Sequence, residues 1–407
     1  MPSRLSNEQL LRIAGEFGTP AYVYHAERIK EQYTRLIKAF EGVDARFFYA
    51  AKALTNINVL AYIRSLGCQV DCSSVNEVKL AMQAGFDPSS ILYTSNNISF
   101  SEIEEARELG VHINIDSLSN LEKFGRKFGH STPVGVRLRP NIMAGGNLKI
   151  STGHAESKFG VPLENILDVL KLVQETKLQV RALHIHTGSE IRDVEVFAQG
   201  IEVLFEAARH FPELEVIDLG GGFKVPYREG EEGTNIELLG KKVKQEFEDY
   251  EKRFKRRLQV WFEPGKYLVS EAGYFLTTVN VLKHAGPVRF AGVDSGLNHF
   301  IRPMFYGAWH EMENISNARA EPMHYNVVGN ICETDTFAEN RLLPEVREGD
   351  VLCFRNAGAY CFEMSSYYNS RFRPPEIFVV NGQSHLIRKR DNLDDLTRNQ
   401  VRLPDLF

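Results

Sequence analysis

The most constraining feature of this chain is the regular alternation of short apolar segments with segments of helical periodicity between residues 45 and 265. Helical spacing of apolar residues separates most of the strand-like segments. Eight strands alternating with helices over this length predict an α/β fold, a (β/α)8 TIM barrel. A doubly wound open sheet is the alternative, but the candidate site motifs fall at the ends of the later strands, which favours the barrel. The predicted strands are Ala45–Ala53, Cys68–Ser74, Ile91–Asn96, His112–Ser117, Val134–Asn141, Val180–Gly188, Leu214–Gly222 and Gln259–Gly265.

After residue 270 the pattern changes to short strand-like segments without long helices between them. An early strand-like segment, Pro20–Tyr24, precedes the barrel, and we expect it to pair with the C-terminal β domain. The sequence therefore predicts a barrel over residues 28–272 and a mostly-β domain formed by residues 1–27 and 273–407. The predicted strands of that domain are Tyr274–Lys283, Arg289–Val293, His324–Val328, Val351–Arg355 and Pro375–Val380.

Composition argues against several kinds of partner. The 407 residues have a formal net charge of −5, and the most conspicuous basic cluster, residues 252–257, is short, so we expect no nucleic-acid binding. No run of about 18 apolar residues predicts a membrane span. The five cysteines are odd in number and scattered, which is typical of a reducing cytoplasm. Cys68 and Cys72 lack a matching second pair, so we expect no metal.

Lys52 stands at the end of the first barrel strand, directly after apolar and aromatic residues. A lysine in this position either extends its amino group into water or forms a Schiff base with a carbonyl cofactor at the catalytic face of a barrel. For a single lysine the first interpretation is favoured. The residues at the other strand ends decide between the two.

Three of those strand ends carry groups that suit a phosphate-bearing pyridine aldehyde. Gly220–Gly222 is either a flexible turn or a backbone surface that approaches a phosphate. Glu263 is either a buried structural acid or the partner of a pyridine nitrogen. His184 and His186 share one strand face, but no obvious carboxylate or cysteine completes a metal site, so stacking of His186 on an aromatic ring is favoured over metal binding. Together these residues are far more specific than any one of them.

With these residues the chain resembles the fold-type III pyridoxal-phosphate enzymes, whose alanine-racemase-like barrel carries a β domain. The similarity covers nearly the whole chain and is greatest to the diaminopimelate decarboxylase family. The segments that carry it are Tyr49–Ala53, Ser151–Gly153, Ser157–Gly160, His184–Ile191, Gly220–Gly222, Glu263–Lys266, Ile301–Tyr306, Ile331–Asp335, Asn356–Tyr360 and Met364–Asn369.

The resemblance implies a role for each of a set of residues. Lys52 holds pyridoxal 5'-phosphate, His186 stacks on its ring, and Cys332 returns a proton, since an ordinary thiol is mostly protonated at neutral pH. The alternative for Cys332 is an inert buried thiol. The implied cofactor-binding residues are Lys52, Arg137, His186, Ser189, Gly221, Gly222, Glu263, Gly265, Lys266 and Tyr360, and the implied substrate-binding residues are Lys266, Arg302, Tyr306, Glu333 and Tyr360.

The activity that the resemblance implies is decarboxylation of meso-2,6-diaminopimelate to L-lysine and CO2, the last step of lysine biosynthesis. It also implies a homodimer with shared active sites, in which Cys332 and Glu333 reach the partner's site. Many relatives have arginine where this chain has Lys266, which leaves room for a changed substrate affinity.

Four alternatives stay open on the sequence alone. The first is a related decarboxylase of the ornithine, arginine or carboxynorspermidine type, although Glu333 after Cys332 favours diaminopimelate. The second is an alanine-racemase-like enzyme, and the third is an inactive homologue with a binding role. The fourth, a plain barrel without cofactor, leaves the residues at the strand ends unexplained.

Overall fold

A computed structural model describes residues 3–142 and 157–403 of the chain. The chain divides into two compact units. The first, which we call the β unit, comprises residues 1–29, 227–229 and 269–407, and the second, the barrel unit, comprises residues 30–226 and 230–268. The predicted domain boundaries stay a prediction. The motif Ser151–Gly153 and most of the loop that follows Asn141 lie outside the described residues.

Strands and helices alternate through the first two thirds of the chain, and strands predominate after residue 272. The strands are β1 (Ala21–His25), β2 (Ala45–Ala50), β3 (Gln69–Cys72), β4 (Ile91–Thr94), β5 (His112–Ile115), β6 (Val134–Arg139), β7 (Val161–Pro162), β8 (Val180–His184), β9 (Val216–Asp218), β10 (Gln259–Phe262), β11 (Gly273–Ala285), β12 (Val288–Val293), β13 (Met312–Asn314), β14 (Pro322–Val328), β15 (Thr336–Pro344), β16 (Val351–Arg355), β17 (Glu376–Val380) and β18 (Gln383–Arg388). The α-helices are α1 (Asn7–Phe17), α2 (Ala26–Ala39), α3 (Ile57–Ser65), α4 (Val75–Gln83), α5 (Phe100–Glu108), α6 (Leu118–Phe128), α7 (Ile166–Thr176), α8 (Val194–Ala208), α9 (Ile236–Phe254), α10 (Lys266–Val269), α11 (Arg302–Tyr306) and α12 (Leu393–Thr397).

The barrel unit contains a closed parallel sheet. Its strands run in the order β2-β3-β4-β5-β6-β8-β9-β10, and β10 pairs in parallel with β2 to close the circle. Side chains of Phe48, Leu92, Ala182, Val216 and Trp261 pack together as a buried apolar cluster contributed by these strands. The predicted (β/α)8 barrel and its eight strands are confirmed, and the closed circle excludes the open doubly wound sheet.

Side-chain caps begin several of the barrel helices at the residues that follow the strands. Ser74 precedes α4, and its hydroxyl accepts a hydrogen bond from the backbone N–H of Glu77. Ser117 caps α6 in the same way, and Asp193 caps α8. Each cap satisfies a backbone N–H that lacks a partner within the helix, and α4 and α6 begin three residues after the preceding strand ends.

The β unit is built on a mixed sheet whose centre is the N-terminal strand. β1 pairs antiparallel with β11 and parallel with β17, so the predicted pairing of the early strand with the C-terminal β domain is confirmed. Helix α1 begins with a capping box formed by Ser6 and Gln9, and it buries Leu10 and Ile13 in the apolar cluster of this unit.

The described residues also bear on the expected absence of a membrane span. Within 3–142 and 157–403, no helix is both long enough and apolar enough to cross a membrane.

Candidate active site

The ends of four barrel strands carry the polar residues that the sequence singled out. Lys52 lies in a 3₁₀ turn, Ala51–Ala53, directly after β2. His186 follows β8, Gly220 follows β9 and Glu263 follows β10. Because all strands of the barrel are parallel, these residues emerge at the same, carboxyl end of the sheet, which is where barrel enzymes place their chemistry.

Lys52 has a carboxylate neighbour that sequence analysis missed. Its Nζ lies 3.8 Å from Oδ2 of Asp71, a residue of β3 that is only 1% exposed, whereas the lysine side chain is 42% exposed. Burial raises the pKa of Asp71, and the charge of Glu263 raises it further. The amino group of Lys52 therefore stands at the accessible edge of a buried acidic region.

Glu263 lies in the middle of a buried group of polar side chains. Its Oε1 is 3.3 Å from Nε2 of His184, and His184, Asp218 and Glu263 each place one side-chain atom within 4.8 Å of the others. Burial by itself raises the pKa of Glu263, but His184, Lys52 and His186 outweigh burial and hold the pKa of this carboxyl below its ordinary value. Glu263 is therefore ionised over the whole physiological pH range.

The His186 ring is fixed by the glycine run on the neighbouring strand. The backbone N–H of Gly221 donates a hydrogen bond of 3.1 Å to Nδ1 of His186. Since a backbone N–H can only donate, Nδ1 is unprotonated and the neutral ring carries its hydrogen on Nε2. Burial lowers the pKa of His186 to about 3, and the charges of Arg137 and Lys52 act in the same direction. The ring is thus a neutral, oriented plane at neutral pH.

The glycine run admits no side chain at any of its three positions, because an added Cβ would lie less than 3.0 Å from another atom. A Cβ on Gly221 would lie 2.3 Å from the carbonyl oxygen of Glu263, and a Cβ on Gly222 would lie 2.3 Å from the carbonyl oxygen of Gly188. Gly222 also has a φ of +98°, which side chains rarely permit. The requirement for glycine at these positions is therefore steric, and flexibility of the turn is not needed to explain it. Backbone without side chains faces the site.

Four other residues predicted for the cofactor lie in the barrel unit. Arg137 is buried on β6, its guanidinium 4.7 Å from the ring centre of Phe159, and burial lowers its pKa while Glu263 and Asp116 oppose that effect. Ser189 lies on the loop between β8 and α8, and Gly265 immediately precedes α10. Lys266, the first residue of α10, forms an ion pair with Glu190.

In the β unit, Arg302 and Tyr306 lie at the two ends of the short helix α11. The guanidinium carbon of Arg302 is 5.5 Å from the ring centre of Tyr306, and its Nε donates to Nε2 of His310 at 3.4 Å. Arg302 is buried. The structure brings these two predicted substrate residues together.

Cys332 and Glu333 are exposed in the β unit and are held by the segment after residue 366. Asn369 Nδ2 donates to Cys332 Sγ at 3.1 Å, and the Tyr368 hydroxyl donates to Glu333 Oε1 at 2.8 Å. Cys332 is exposed, which does not fit the alternative of a buried, inert thiol. Tyr360, half-buried in the same unit, has a φ of +55°.

Comparison with known proteins identifies the family to which this chain belongs. Residues 26–270 match the family model described as the pyridoxal binding domain of pyridoxal-dependent decarboxylases. The diaminopimelate decarboxylase of Methanothermobacter thermautotrophicus is 40% identical over 96% of this chain and 93% of its own length. This chain belongs to the pyridoxal-dependent decarboxylase family.

Solved structures of diaminopimelate decarboxylases share the fold of this family member. The Helicobacter pylori structure complexed with L-lysine has a TM-score of 0.88 and 31% identity, and the similarity covers 96% of this chain and 98% of that one. The M. jannaschii structure in complex with L-lysine has a TM-score of 0.90 and 29% identity, over 98% of this chain and 95% of that one. The enzyme is therefore a fold-type III carboxy-lyase of the pyridoxal-phosphate class.

The residues of the barrel unit fit the cofactor of the family. Gly221 and Gly222 offer backbone where a Cβ has no room, and phosphate oxygens accept hydrogen bonds from such N–H groups. The buried Glu263 is an anion that a protonated pyridine nitrogen matches in charge. Lys52 provides a primary amine for an aldehyde at the accessible edge of the same site.

Sequence analysis missed Asp71, Asp218 and the contact of His184 with Glu263. Asp71, His184 and Asp218 are polar residues near the ends of mostly apolar barrel strands, where an isolated charge is expensive to bury. A polar residue that interrupts an apolar strand was the signal available in the sequence. The expectation that no carboxylate lies near the histidines was wrong. Asp218 and Glu263 lie beside His184 in the structure, although they belong to two other strands and are distant in sequence.

Proposed function

We propose that this enzyme decarboxylates meso-2,6-diaminopimelate to L-lysine and CO2. The observation that carries the proposal is similarity over nearly the whole chain to proteins named diaminopimelate decarboxylase, at 35% and 40% identity for two of them. Two related structures hold L-lysine, which is what remains when diaminopimelate loses one carboxylate as CO2. The lysine/ornithine decarboxylase of Vibrio vulnificus, at 22% identity, shares the fold alone.

In this proposal residues of the barrel unit hold the pyridine ring of the cofactor. Lys52 attaches it, Glu263 faces its ring nitrogen, and His186 packs against its ring with the tautomer fixed by Gly221. When bound, pyridoxal phosphate acts as an electron sink for the carbon that loses the carboxylate. We assign the phosphate contacts to Ser189, Gly221, Gly222, Gly265 and Tyr360, with Arg137 and Lys266 nearby.

The β-unit residues are assigned to the substrate. Cys332 delivers the proton that replaces the lost carboxylate on the α-carbon, and Asn369 orients its sulfur. The distal carboxylate of diaminopimelate suits Arg302 and Tyr306, because a guanidinium can bind a carboxylate through two parallel hydrogen bonds. Glu333 has the charge to bind the distal ammonium. Lys266 is already paired with Glu190, so we expect a smaller contribution from it to substrate binding.

We further propose a homodimer in the cytoplasm with active sites shared between subunits. The exposure of Cys332 and Glu333 on their own chain supports the shared sites, and the odd number of scattered cysteines supports the cytoplasm. Mixing inactive Lys52→Ala and Cys332→Ala proteins under subunit exchange should restore about a quarter of the wild-type activity, because half of the random dimers contain one intact site. A mixture that stays as inactive as its components would refute shared sites.

The activity is tested by measuring CO2 release from separate substrates. Purified protein with pyridoxal phosphate should release CO2 rapidly from meso-diaminopimelate and slowly or not at all from ornithine, arginine or carboxynorspermidine. A preference for one of the other three amines would leave the cofactor assignment intact and overturn the substrate. Absence of release from all four, with no absorbance change on adding the cofactor, would overturn the proposal as a whole.

A further inference from the structure

Three adjacent strands bring an imidazole and two carboxylates to one level of the barrel. His184 at the end of β8 is the direct ladder partner of Asp218 at the end of β9. Asp218 is in turn opposite Trp261 of β10, and Glu263 follows two residues later. His184 and Asp218 are 0% exposed and Glu263 is 6% exposed, and the nearest side-chain atoms of the three lie within 4.8 Å of one another. Two acids therefore share a dry environment.

Each of the two acids has a buried carboxylate oxygen that makes no hydrogen bond among the described residues. Asp218 Oδ1 accepts a hydrogen bond of 2.9 Å from the backbone N–H of Gly220. Its Oδ2 and Oε1 of Glu263 are buried and make no hydrogen bond among the described residues, although Nε2 of His184 lies 3.3 Å from that Oε1. A single proton placed between them would satisfy both oxygens and remove one of two like charges, whereas two carboxylates at this distance would repel each other.

The surroundings decide which acid holds that proton. The His184 ring lies beside Glu263, and Lys52 and Arg137 are the cations whose charge acts on it. Asp218, in contrast, feels mainly burial and the negative charge of Glu263, both of which raise its pKa, and Asp71 adds to the effect. Pairs of acids whose environments separate their pKa values in this way divide into a neutral donor and an ionised partner.

We propose that Asp218 is a positioning residue that remains a neutral carboxylic acid and donates its O–H to Glu263, so that Glu263 alone presents a negative charge to the cofactor ring. Through its other oxygen Asp218 also holds Gly220, the first residue of the glycine run. One side chain thus links the group that faces the ring nitrogen to the backbone that faces the phosphate. The part of this inference that concerns the cofactor rests on the proposed function.

The protonation of Asp218 is measured without cofactor. Infrared difference spectra of the metal-free apoprotein, wild type minus Asp218→Asn, should show the C=O stretch of a protonated carboxylic acid at neutral pH. Asp71→Asn is the matched control, because Asp71 is an equally buried aspartate whose near neighbour is the cation Lys52. If the protonated band is absent from the wild type, or disappears in Asp71→Asn and persists in Asp218→Asn, the inference is wrong.

The positioning role is measured by titrating apoprotein with pyridoxal phosphate. Asparagine keeps the acceptor for Gly220 and a neutral N–H donor toward Glu263, so Asp218→Asn should bind the cofactor within about twofold of wild type. Asp218→Leu keeps the size but loses both groups, and its affinity should fall at least about tenfold. The pH dependence of the bound cofactor's absorbance should be wild-type in the first variant and shifted in the second.

The two variants also separate the possible failures. A tenfold loss in Asp218→Asn, with its thermal unfolding temperature unchanged, would mean that an ionised Asp218 is required and would overturn the inference. This outcome decides the matter even if Asp218→Leu does not fold. If the wild-type protein binds no pyridoxal phosphate, the proposed function fails, while the infrared result still decides whether Asp218 is protonated.

Discussion

The candidate residues of the barrel unit and those of the β unit are held in place by different forces. Asp71, His184, Asp218 and Glu263 are buried, and their protonation states are set by burial and by one another's charges. Cys332 and Glu333 are exposed, and side-chain hydrogen bonds with Asn369 and Tyr368 hold them. Charge interactions are strong where water is excluded, whereas an exposed hydrogen bond contributes about 1 kcal/mol.

This difference predicts a division of labour between the two groups. Changes in the barrel group should alter how the cofactor is bound and charged. Changes in the exposed β-unit group should alter turnover or substrate affinity and leave the cofactor as it was. Each of the following predictions either sharpens that division or breaks it.

The largest effect is expected for Lys52→Ala. Loss of the amine that attaches the cofactor should lower turnover by about four orders of magnitude and remove the absorbance band of the attached cofactor. Lys79→Ala is the control, since Lys79 lies on α4 in an exposed ion pair with Glu105. A Lys52→Ala protein with more than about 1% of wild-type turnover would contradict the assignment.

The next effect is expected for Cys332→Ala. Removal of a proton donor should reduce kcat by about two to three orders of magnitude, while pyridoxal phosphate binds as tightly as before. Cys332→Ser, which replaces the thiol by a hydroxyl of similar size, should recover part of the rate. The measurement is steady-state CO2 release together with a cofactor titration. Markedly weaker cofactor binding by Cys332→Ala would contradict the proposed division between the two groups.

A smaller effect is expected in the pH dependence of apoprotein stability. His186 has a pKa of about 3 in the folded protein against an ordinary value near 6.5. Between these two pH values the unfolded chain binds a proton at His186 that the folded chain does not bind. The stabilisation is complete above pH 6.5 and is lost as the pH falls from 6.5 toward 3. Urea unfolding should show His186→Gln losing about 1 kcal/mol less than wild type between pH 7.5 and pH 5.5. Equal losses would show that His186 is not buried in a cationic environment.

The smallest effect is expected for Tyr368→Phe. The change removes the hydrogen bond to Glu333 at an exposed position, so KM for diaminopimelate should rise about threefold with kcat and cofactor affinity unchanged. Tyr367→Phe is the matched control, because the Tyr367 hydroxyl accepts from Arg373 and makes no bond to Glu333. A change in the cofactor's absorbance in Tyr368→Phe would contradict the proposed division.

Apart from the two-residue β7 of the barrel unit, the strands that sequence analysis missed lie in the β unit. β13 has three residues, which is too short for a periodic pattern. β15 contains Glu339, Asn340 and Arg341 in its middle, with a register shift in its pairing and a positive φ at Asn340. Within the described residues β18 pairs with β17 alone, and none of its residues is fully buried. Alternation of apolar residues predicts half-buried strands, so bulged and exposed edge strands escape it.

The candidate site was predicted where residues meet through strand order and missed where they meet through side-chain packing. Lys52, His186, the glycine run and Glu263 follow barrel strands directly, and parallel strands place their ends together. Asp71 near Lys52, and Asp218 near His184 and Glu263, depend on which strands are neighbours and which way each side chain points. Likewise, Tyr368 and Asn369 reach Cys332 and Glu333 across more than thirty residues of sequence.

The sequence by itself determined the barrel, the pairing of the N-terminal strand with the β domain, and the residues at the strand ends, because apolar periodicity and chain order are local properties. Only the tertiary structure decided the protonation of those residues. The charge on Glu263, the neutral ring of His186 and the raised pKa of Asp218 arise from burial and from charges contributed by other strands. Such interactions depend on distances through space and on the exclusion of water, and neither is written in the order of residues along one strand.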